Sequence, residues 1–321
     1  MTAVSLPRSA ARRRLSDFAS SGGAVWLIVA GLFVWASVAS DDFRTVTNLS
    51  SLSRQGIALA LVALAQFIVV LTAGIDLSVG AMAKLTSIAA AMVMAGSNGR
   101  LLPGLLAALA VGALSGGVNG FAITRLRVPP FVSTLGTLAV LQGLSLFIAP
   151  TPKGRTSPLL VQAYSWRVGP VFVVVLVVAV VWLALWHLLH RRPWGRHVYA
   201  VGGQDEVARL TGIAVDRVRF SVYTASGLLS ALAGILIVSK SGVGDPNAGL
   251  GLEFESLAAV VIGGASLFGG RGRLAGVLGG VVLLAMISNI FNLVGIQVWY
   301  QQLLKGAIIL VAGGLYVKKE S

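Results

Sequence analysis

Thr72-Ala73-Gly74-Ile75-Asp76-Leu77-Ser78-Val79-Gly80 is the stretch on which the reading of this chain turns. It interrupts apolar sequence on both sides, residues 56–73 before it and 77–96 after it. Each run approaches the roughly 20 residues that a helix needs to cross a hydrocarbon core. A carboxylate between two such runs is expensive to hold away from water and needs a reason. One reason is capping: Asp76 can accept hydrogen bonds from the free amides that open the next helix, with Ser78 in its first turn. The other is a ligand role on a transport path, with Gly74, Ser78 and Gly80 around it. Both readings stay open at this point.

Working outward, further apolar runs lie at 24–39, 101–123, 131–149, 168–190, 219–239, 255–268, 274–293 and 299–316. The pattern predicts an all-α integral membrane protein of about ten transmembrane helices. Residues 56–96 could form one broken unit, and 255–268 is short for a full span. Of the 321 residues, 56% are hydrophobic and 11% charged. A soluble domain carries about 25% charged residues, so the apolar surplus here needs lipid. No stretch is polar and long enough for a separate soluble domain. The expectation is one transmembrane domain over 1–321, with a cytoplasmic tail at 1–23 and one long polar loop at 191–218. Arg12, Arg13 and Arg14 before the first run, and Ser37-Val38-Ala39 at its end, mimic a signal peptide. With further spans following, it reads as an uncleaved signal anchor.

Cysteine is absent, which excludes a disulfide framework and a thiolate metal site. His187, His190 and His197 straddle the end of one run and the basic loop after it. They read as interfacial and loop residues, and no metal is expected. A formal charge of +14 on a soluble protein would suggest nucleic acid. Here the basic residues lie between apolar runs, so no nucleic-acid partner is expected. With the N-terminus inside, the inside segments hold 16 of the 25 Lys and Arg and the outside segments 7; Lys84 and Lys305 lie within runs. That asymmetry predicts both termini in the cytoplasm and an even number of spans.

Gly112, Gly116 and Gly120 recur every four residues, as do Gly272, Gly276 and Gly280. Such stripes let helix backbones touch, and their matching placement suggests an internal pseudo-repeat. Lys84 shares a helix face with Asp76 about 12 Å further along the axis. It must snorkel, meet a polar partner or face a wet cavity. Gln66, Asn119, Thr134 and Asn289 are polar residues within or at the ends of runs. They either line a path or hydrogen-bond between helices.

In the long loop, Gly202-Gly203 is expected to break the chain. Asp205 and Glu206 then favour the first turn of a short helix, with Arg209 later in it and Gly212 able to stop it. Gly270-x-Gly272-x-x-Ala275 mimics a dinucleotide fingerprint, but no strand precedes it. The sequence contains no phosphate-binding P-loop motif, so it is not itself a P-loop ATPase.

Thr72–Gly80, Pro129-Pro130-Phe131 with Thr134-Leu135-Gly136-Thr137, Tyr199–Ile213, Glu253–Gly272 and Tyr300–Lys305 follow one another in an order and spacing that resemble the membrane permeases of bacterial ABC importers. The resemblance is to the ribose/monosaccharide branch and covers almost the whole chain. It implies a multi-pass protein of the bacterial cytoplasmic (inner) membrane. It implies as partners a second permease subunit (a homodimer or a close paralogue), cytoplasmic ATP-binding subunits, and a periplasmic or lipid-anchored sugar-binding protein. ATP and Mg would sit on the partner ATPase, and this chain would bind no cofactor. Glu206, Ala208 and Gly212 fit the family's coupling motif Glu-Ala-Ala-x-x-x-Gly, with Arg209 inside it and Val207 in place of the middle alanine. Glu255 stands where the family carries Asp, and Lys84 lies in a span that is normally apolar. The rival readings are an ion-coupled secondary transporter using Asp76 and Lys84, and a membrane-embedded enzyme; no catalytic constellation supports the latter.

Overall fold

A computed structural model of the protein describes residues 22–297 and, beyond them, 300, 301, 303, 304, 306 and 307. Most of the tail at 1–23, much of the last apolar run and Lys305 fall outside the described residues. The helices are α1 (Gly23–Ala39), α2 (Val46–Gln55), α3 (Ile57–Leu71), α4 (Val79–Met94), α5 (Leu101–Thr124), α6 (Pro130–Ile148) and α7 (Pro158–Ser165). They continue with α8 (Val173–Arg191), α9 (Pro193–Gly203), α10 (Asp205–Leu210), α11 (Val215–Ser241), α12 (Leu252–Ile262) and α13 (Leu274–Leu293). Pro130, Pro158 and Pro193 each open a helix, where the missing amide hydrogen costs nothing.

Among the described residues, six helical stretches are long and apolar enough to cross a membrane. They are Val46–Leu71, Asn98–Thr124, Pro130–Ile148, Val173–Arg191, Val215–Ser241 and Leu274–Leu293. The first joins α2 and α3 across Gly56. The second adds a 3₁₀ turn at Asn98–Arg100 to α5. α1 and α4 are apolar but shorter, and α12 has only 11 residues. The described residues are therefore mostly helical, with six stretches able to cross a membrane by length and composition. One element breaks the all-α expectation: a two-stranded antiparallel hairpin pairs Arg167 with Phe172 and Val168 with Val171. Its turn is made by Gly169 at φ 60° and Pro170, so the helix expected from 168 starts at Val173.

The core forms around α3 and α11. α3 is apolar except for Gln66, and all but one of its residues are buried, as expected of a helix enclosed by others. α6 is the opposite case, with Phe131, Val132, Val140 and Phe147 exposed. The glycine stripes are crossing points. A Cβ on Gly112 would come within 2.4 Å of the Gly227 carbonyl oxygen, and one on Gly116 within 2.2 Å of the Tyr223 carbonyl oxygen. α5 and α11 thus touch backbone to backbone. Gly276 and Gly280 do the same for α13 on α12, against Gly263 and Ala259, whereas Gly272, the first of that stripe, precedes α13 and lies against Phe67 and Ala265.

Two loop regions mark the ends of the bundle. At one end, Gly202 of α9 meets the end of α3 and the segment after α12. At the other, the segment after α6 is bonded to the segment after α11: Lys153 N–H donates to the Gly244 carbonyl at 2.8 Å, and Gly244 N–H donates back at 3.1 Å.

Candidate functional site: a buried polar cluster joined to an exposed helix

α3 ends in a tight turn. Thr72 Oγ1 donates to the Val69 carbonyl at 2.8 Å, and Ala73 takes a left-handed conformation at φ 58°. A Cβ on Gly74 would stand 2.5 Å from the Tyr223 hydroxyl. The chain then stays non-helical until Ser78, the N-cap of α4. Asp76 lies two residues before that N-cap, so it does not cap the helix in the expected way. Its Oδ1 accepts from the Ser78 amide at 3.0 Å and from Ser78 Oγ at 2.5 Å, which is an Asx turn. Its Oδ2 accepts from Ser226 Oγ of α11 at 2.9 Å.

Asn119 of α5 extends this arrangement. Its Nδ2 donates to Ser78 Oγ at 2.9 Å. Its Oδ1 accepts from Thr137 Oγ1 at 2.6 Å and from Ser133 Oγ at 3.4 Å. Thr134 Oγ1 reaches the Ile75 carbonyl at 3.1 Å. Asp76, Ser78, Asn119, Ser226 and Thr134 are all completely buried. One carboxylate and one amide therefore tie α5, α6 and α11 to the break before α4. Each such hydrogen bond contributes about 0.5–1.5 kcal/mol, and the set of them makes this a stiff junction.

The other predicted residues take different places. Gln66, on α3, is completely buried, and neither amide atom has a partner among the described residues. Ser230 Oγ is in the same condition. Ser230 follows Tyr223 and Ser226 at helical spacing, so the three share one face of α11. Asn289 stands apart: it exchanges two hydrogen bonds with Asn48, at 3.1 and 2.9 Å, between α13 and α2. Lys84 is 4% exposed, and the carboxylates of Glu253 and Asp245 lie within electrostatic reach of it. Gly80 makes room for Glu253, whose Oε2 would stand 2.1 Å from an added Cβ. Lys84 and Asp76 thus have separate partners. Tyr223, Ser226 and Ser230 escape the sequence reading because they sit singly in an apolar run, although their spacing is visible there.

The long loop forms two helices. α9 runs through Gly202-Gly203 without a break, and the interruption falls at extended Gln204 (φ −155°, ψ 105°). Gly202 must lack a side chain, because a Cβ there would lie 1.7 Å from the Leu71 carbonyl oxygen and 2.6 Å from Gly270 N. Gly270 N–H itself donates to that Leu71 carbonyl at 3.0 Å.

α10 follows at once. Gly212 closes it at φ 84°, with Gly212 N–H on the Arg209 carbonyl and Ile213 N–H on the Ala208 carbonyl, each at 3.0 Å. Arg209 is held by Asp216 at 2.9 Å, which also receives a two-pronged bond from Arg127 at 3.1 Å for each prong. The hydrogen bond to Asp216 raises the Arg209 pKa above its ordinary value, so its charge is permanent. Arg219 pairs with Asp205 at 3.2 Å. Ala208 is buried against the body, while Glu206, Val207 and Leu210 are exposed, Leu210 at 87%. Leu210 and Val207 thus stand exposed beside the Glu206 carboxylate, on a helix braced from behind.

Beside the break lies a cavity of about 260 Å³, lined by Thr72, Gly74, Arg127, Pro129, Arg219 and Tyr223 among others. A larger one, about 640 Å³, is apolar and opens between α3, α8 and α13; it holds none of the polar cluster. Among the described residues no His, Asp and Glu group is arranged to hold a metal ion. His190 instead stacks on Trp186, ring centroids 5.4 Å apart.

Residues 48–313 match the family described as branched-chain amino acid transport system / permease component. The chain is 37% identical over 288 residues to the ribose import permease protein RbsC of Escherichia coli (strain K12), covering 88% of this chain and 89% of that protein. It is 38% identical over 300 residues to the ribose import permease protein RbsC of Bacillus subtilis (strain 168), covering 91% and 92%. The fructose import permease protein FrcC of Rhizobium meliloti is 36% identical over 304 residues, covering 91% and 84%. No solved structure matches the chain.

Proposed function

Because the chain belongs to the branched-chain amino acid transport system / permease component family, we propose that it is the membrane permease subunit of an ATP-driven sugar importer. Its cargo on this reading is a monosaccharide, ribose or a related pentose or hexose, in keeping with relatives named for ribose and fructose import. The hydroxyls and amides of Gln66, Asn119, Thr134, Ser226 and Ser230 in the core suit a neutral, polyhydroxylated solute. Gln66, Asn119 and Thr134, with Ser226 and Ser230, are the residues assigned to its path; Asn289 serves helix packing.

The observation that carries the reading is the contact of Gly202 with Leu71. It places the exposed helix α10 one short step from the break and its buried cluster. A partner ATPase, which holds ATP and Mg, docks on Glu206, Val207 and Leu210. Its closure pushes α10, and α9 transmits the push through Gly202 to the end of α3. The break then shifts the Asp76 cluster between two arrangements, the discrete kind of rearrangement that packed helices allow. A second copy or close paralogue completes the permease, and a periplasmic or lipid-anchored binding protein delivers the sugar at the Lys153–Gly244 end. The protein lies in the bacterial cytoplasmic membrane with about ten spans, an internal pseudo-repeat and both termini inside. The excess of Lys and Arg at the α9–α10 end supports that orientation.

Glu206→Lys tests the docking role. It reverses a charge on the exposed face of α10 and should abolish ATP-driven uptake while membrane insertion and thermal stability stay unchanged. Normal uptake by that variant would remove Glu206 from the ATPase contact.

A further inference from the structure

We propose that the cavity beside the 72–78 break binds a phosphate group, carried by a small soluble ester or by a lipid head. Its lining contains two arginines, Arg127 and Arg219, and no carboxylate. A guanidinium has five N–H donors. Arg127 uses two on Asp216, and Arg219 pairs with Asp205 through one terminal nitrogen, so donors remain on both. Pro129 and Pro130, at the start of the 19-residue α6, form part of the wall. Neither proline has an amide hydrogen, so the helix offers the cavity the positive end of its dipole and no N–H donor there.

The independent observation is Tyr223. It is 1% exposed, lines the cavity, and its hydroxyl has no hydrogen-bond partner among the described residues. That hydroxyl presses against Gly74, another lining residue. A buried donor left unpaired is destabilising, and a ligand oxygen would satisfy it. Asp76 lies within electrostatic reach of Tyr223 and opposes an anion. It does not line the cavity, and its oxygens are taken by Ser78 and Ser226. Asp205 and Asp216 already balance the two guanidinium charges, so an anion is drawn by the donors left free on the two forks, which match phosphate oxygens, and by the helix dipole. A volume of about 260 Å³ admits a phosphate group together with part of the small molecule or lipid head that carries it. Phosphate drawing on Arg219 competes with Asp205, which belongs to α10. Occupancy would therefore loosen the brace behind the exposed helix.

The test uses the purified full chain in alkyl maltoside micelles, which carry no phosphate, without any ATPase. Its outcome is therefore independent of the transport reading. Inorganic phosphate is titrated and followed by ³¹P line broadening. Saturable binding is expected, about tenfold weaker in Tyr223→Phe and in Arg219→Gln and unchanged in the distant Arg100→Gln. Competition by short-chain phosphatidylglycerol assigns the natural source to lipid, and its absence assigns it to a soluble phosphate; either keeps the site. Absence of saturable binding by both probes overturns it. So does equal binding by wild type and Tyr223→Phe, a one-atom change whose folding is checked by thermal unfolding.

Discussion

Gly202→Ala and Gly203→Ala form a matched pair that separates helix propensity from the contact at the end of α3. Both glycines are in the last turn of α9, and both changes add one methyl group. In a helix, Gly to Ala gains up to about 1 kcal/mol in propensity. At Gly203 nothing lies within 4 Å of the new Cβ, so that variant should be as stable as wild type or slightly more so. At Gly202 the new Cβ would fall 1.7 Å from the Leu71 carbonyl oxygen and 2.8 Å from its carbon. Neither is the end of a flexible side chain, so α9 and α3 must separate or the carbonyl must turn. Turning it breaks the bond from Gly270 N–H, which is 3.0 Å in the native structure. Overpacking costs about 1–3 kcal/mol, and the lost hydrogen bond adds about 0.5–1.5 kcal/mol. Gly202→Ala should therefore unfold at a clearly lower temperature than Gly203→Ala. It should also show ATP hydrolysis poorly linked to sugar uptake in vesicles containing the partner ATPase. Equal stability and equal coupling of the two variants would refute the claim that Gly202 transmits motion to the break.

Asp76→Asn should fold, because an amide can keep the Ser78 bond and Ser226 Oγ can accept from its new NH₂. Asp76→Leu strands the Ser78 amide, the Ser226 hydroxyl and part of the Asn119 network, each worth about 1–3 kcal/mol, and should lose both stability and uptake; equal thermal unfolding of the two variants would discount the cluster as a junction. Asn289→Leu removes the amide exchange with Asn48 and should cost about 0.6 kcal/mol, the average for polar contacts in membranes, while uptake per folded protein stays unchanged. A folded Asn289→Leu protein without uptake would put that residue back on the path.

The helical runs were plain in the sequence because a membrane helix carries its signal in composition and length. The glycine stripes were equally plain, and their meaning as helix crossings at Gly227 and Gly263 needs only the four-residue spacing and a partner. Asp76 could be singled out but not explained: Ser226, its second anchor, lies 150 residues away on another helix. The break in the long loop was expected at Gly202-Gly203 and occurs at Gln204, because Gly202 is required for a tertiary contact and not for chain reversal. Val207 read as a departure from a motif, and with Leu210 it forms the exposed apolar face of α10. Ala208 is the residue of that motif that faces inward. The hairpin at Arg167–Phe172 is two residues per strand, too short for any periodic signal.

Uptake of labelled ribose into proteoliposomes tests the central claim most directly. The chain is reconstituted with its cognate ATPase and binding protein, and each energy source is supplied alone. Uptake that requires ATP on the α10 side, and that disappears when the ATPase is omitted, is the result expected of a permease subunit driven through α10. Accumulation driven by a proton or sodium gradient, with no ATPase present, would contradict it.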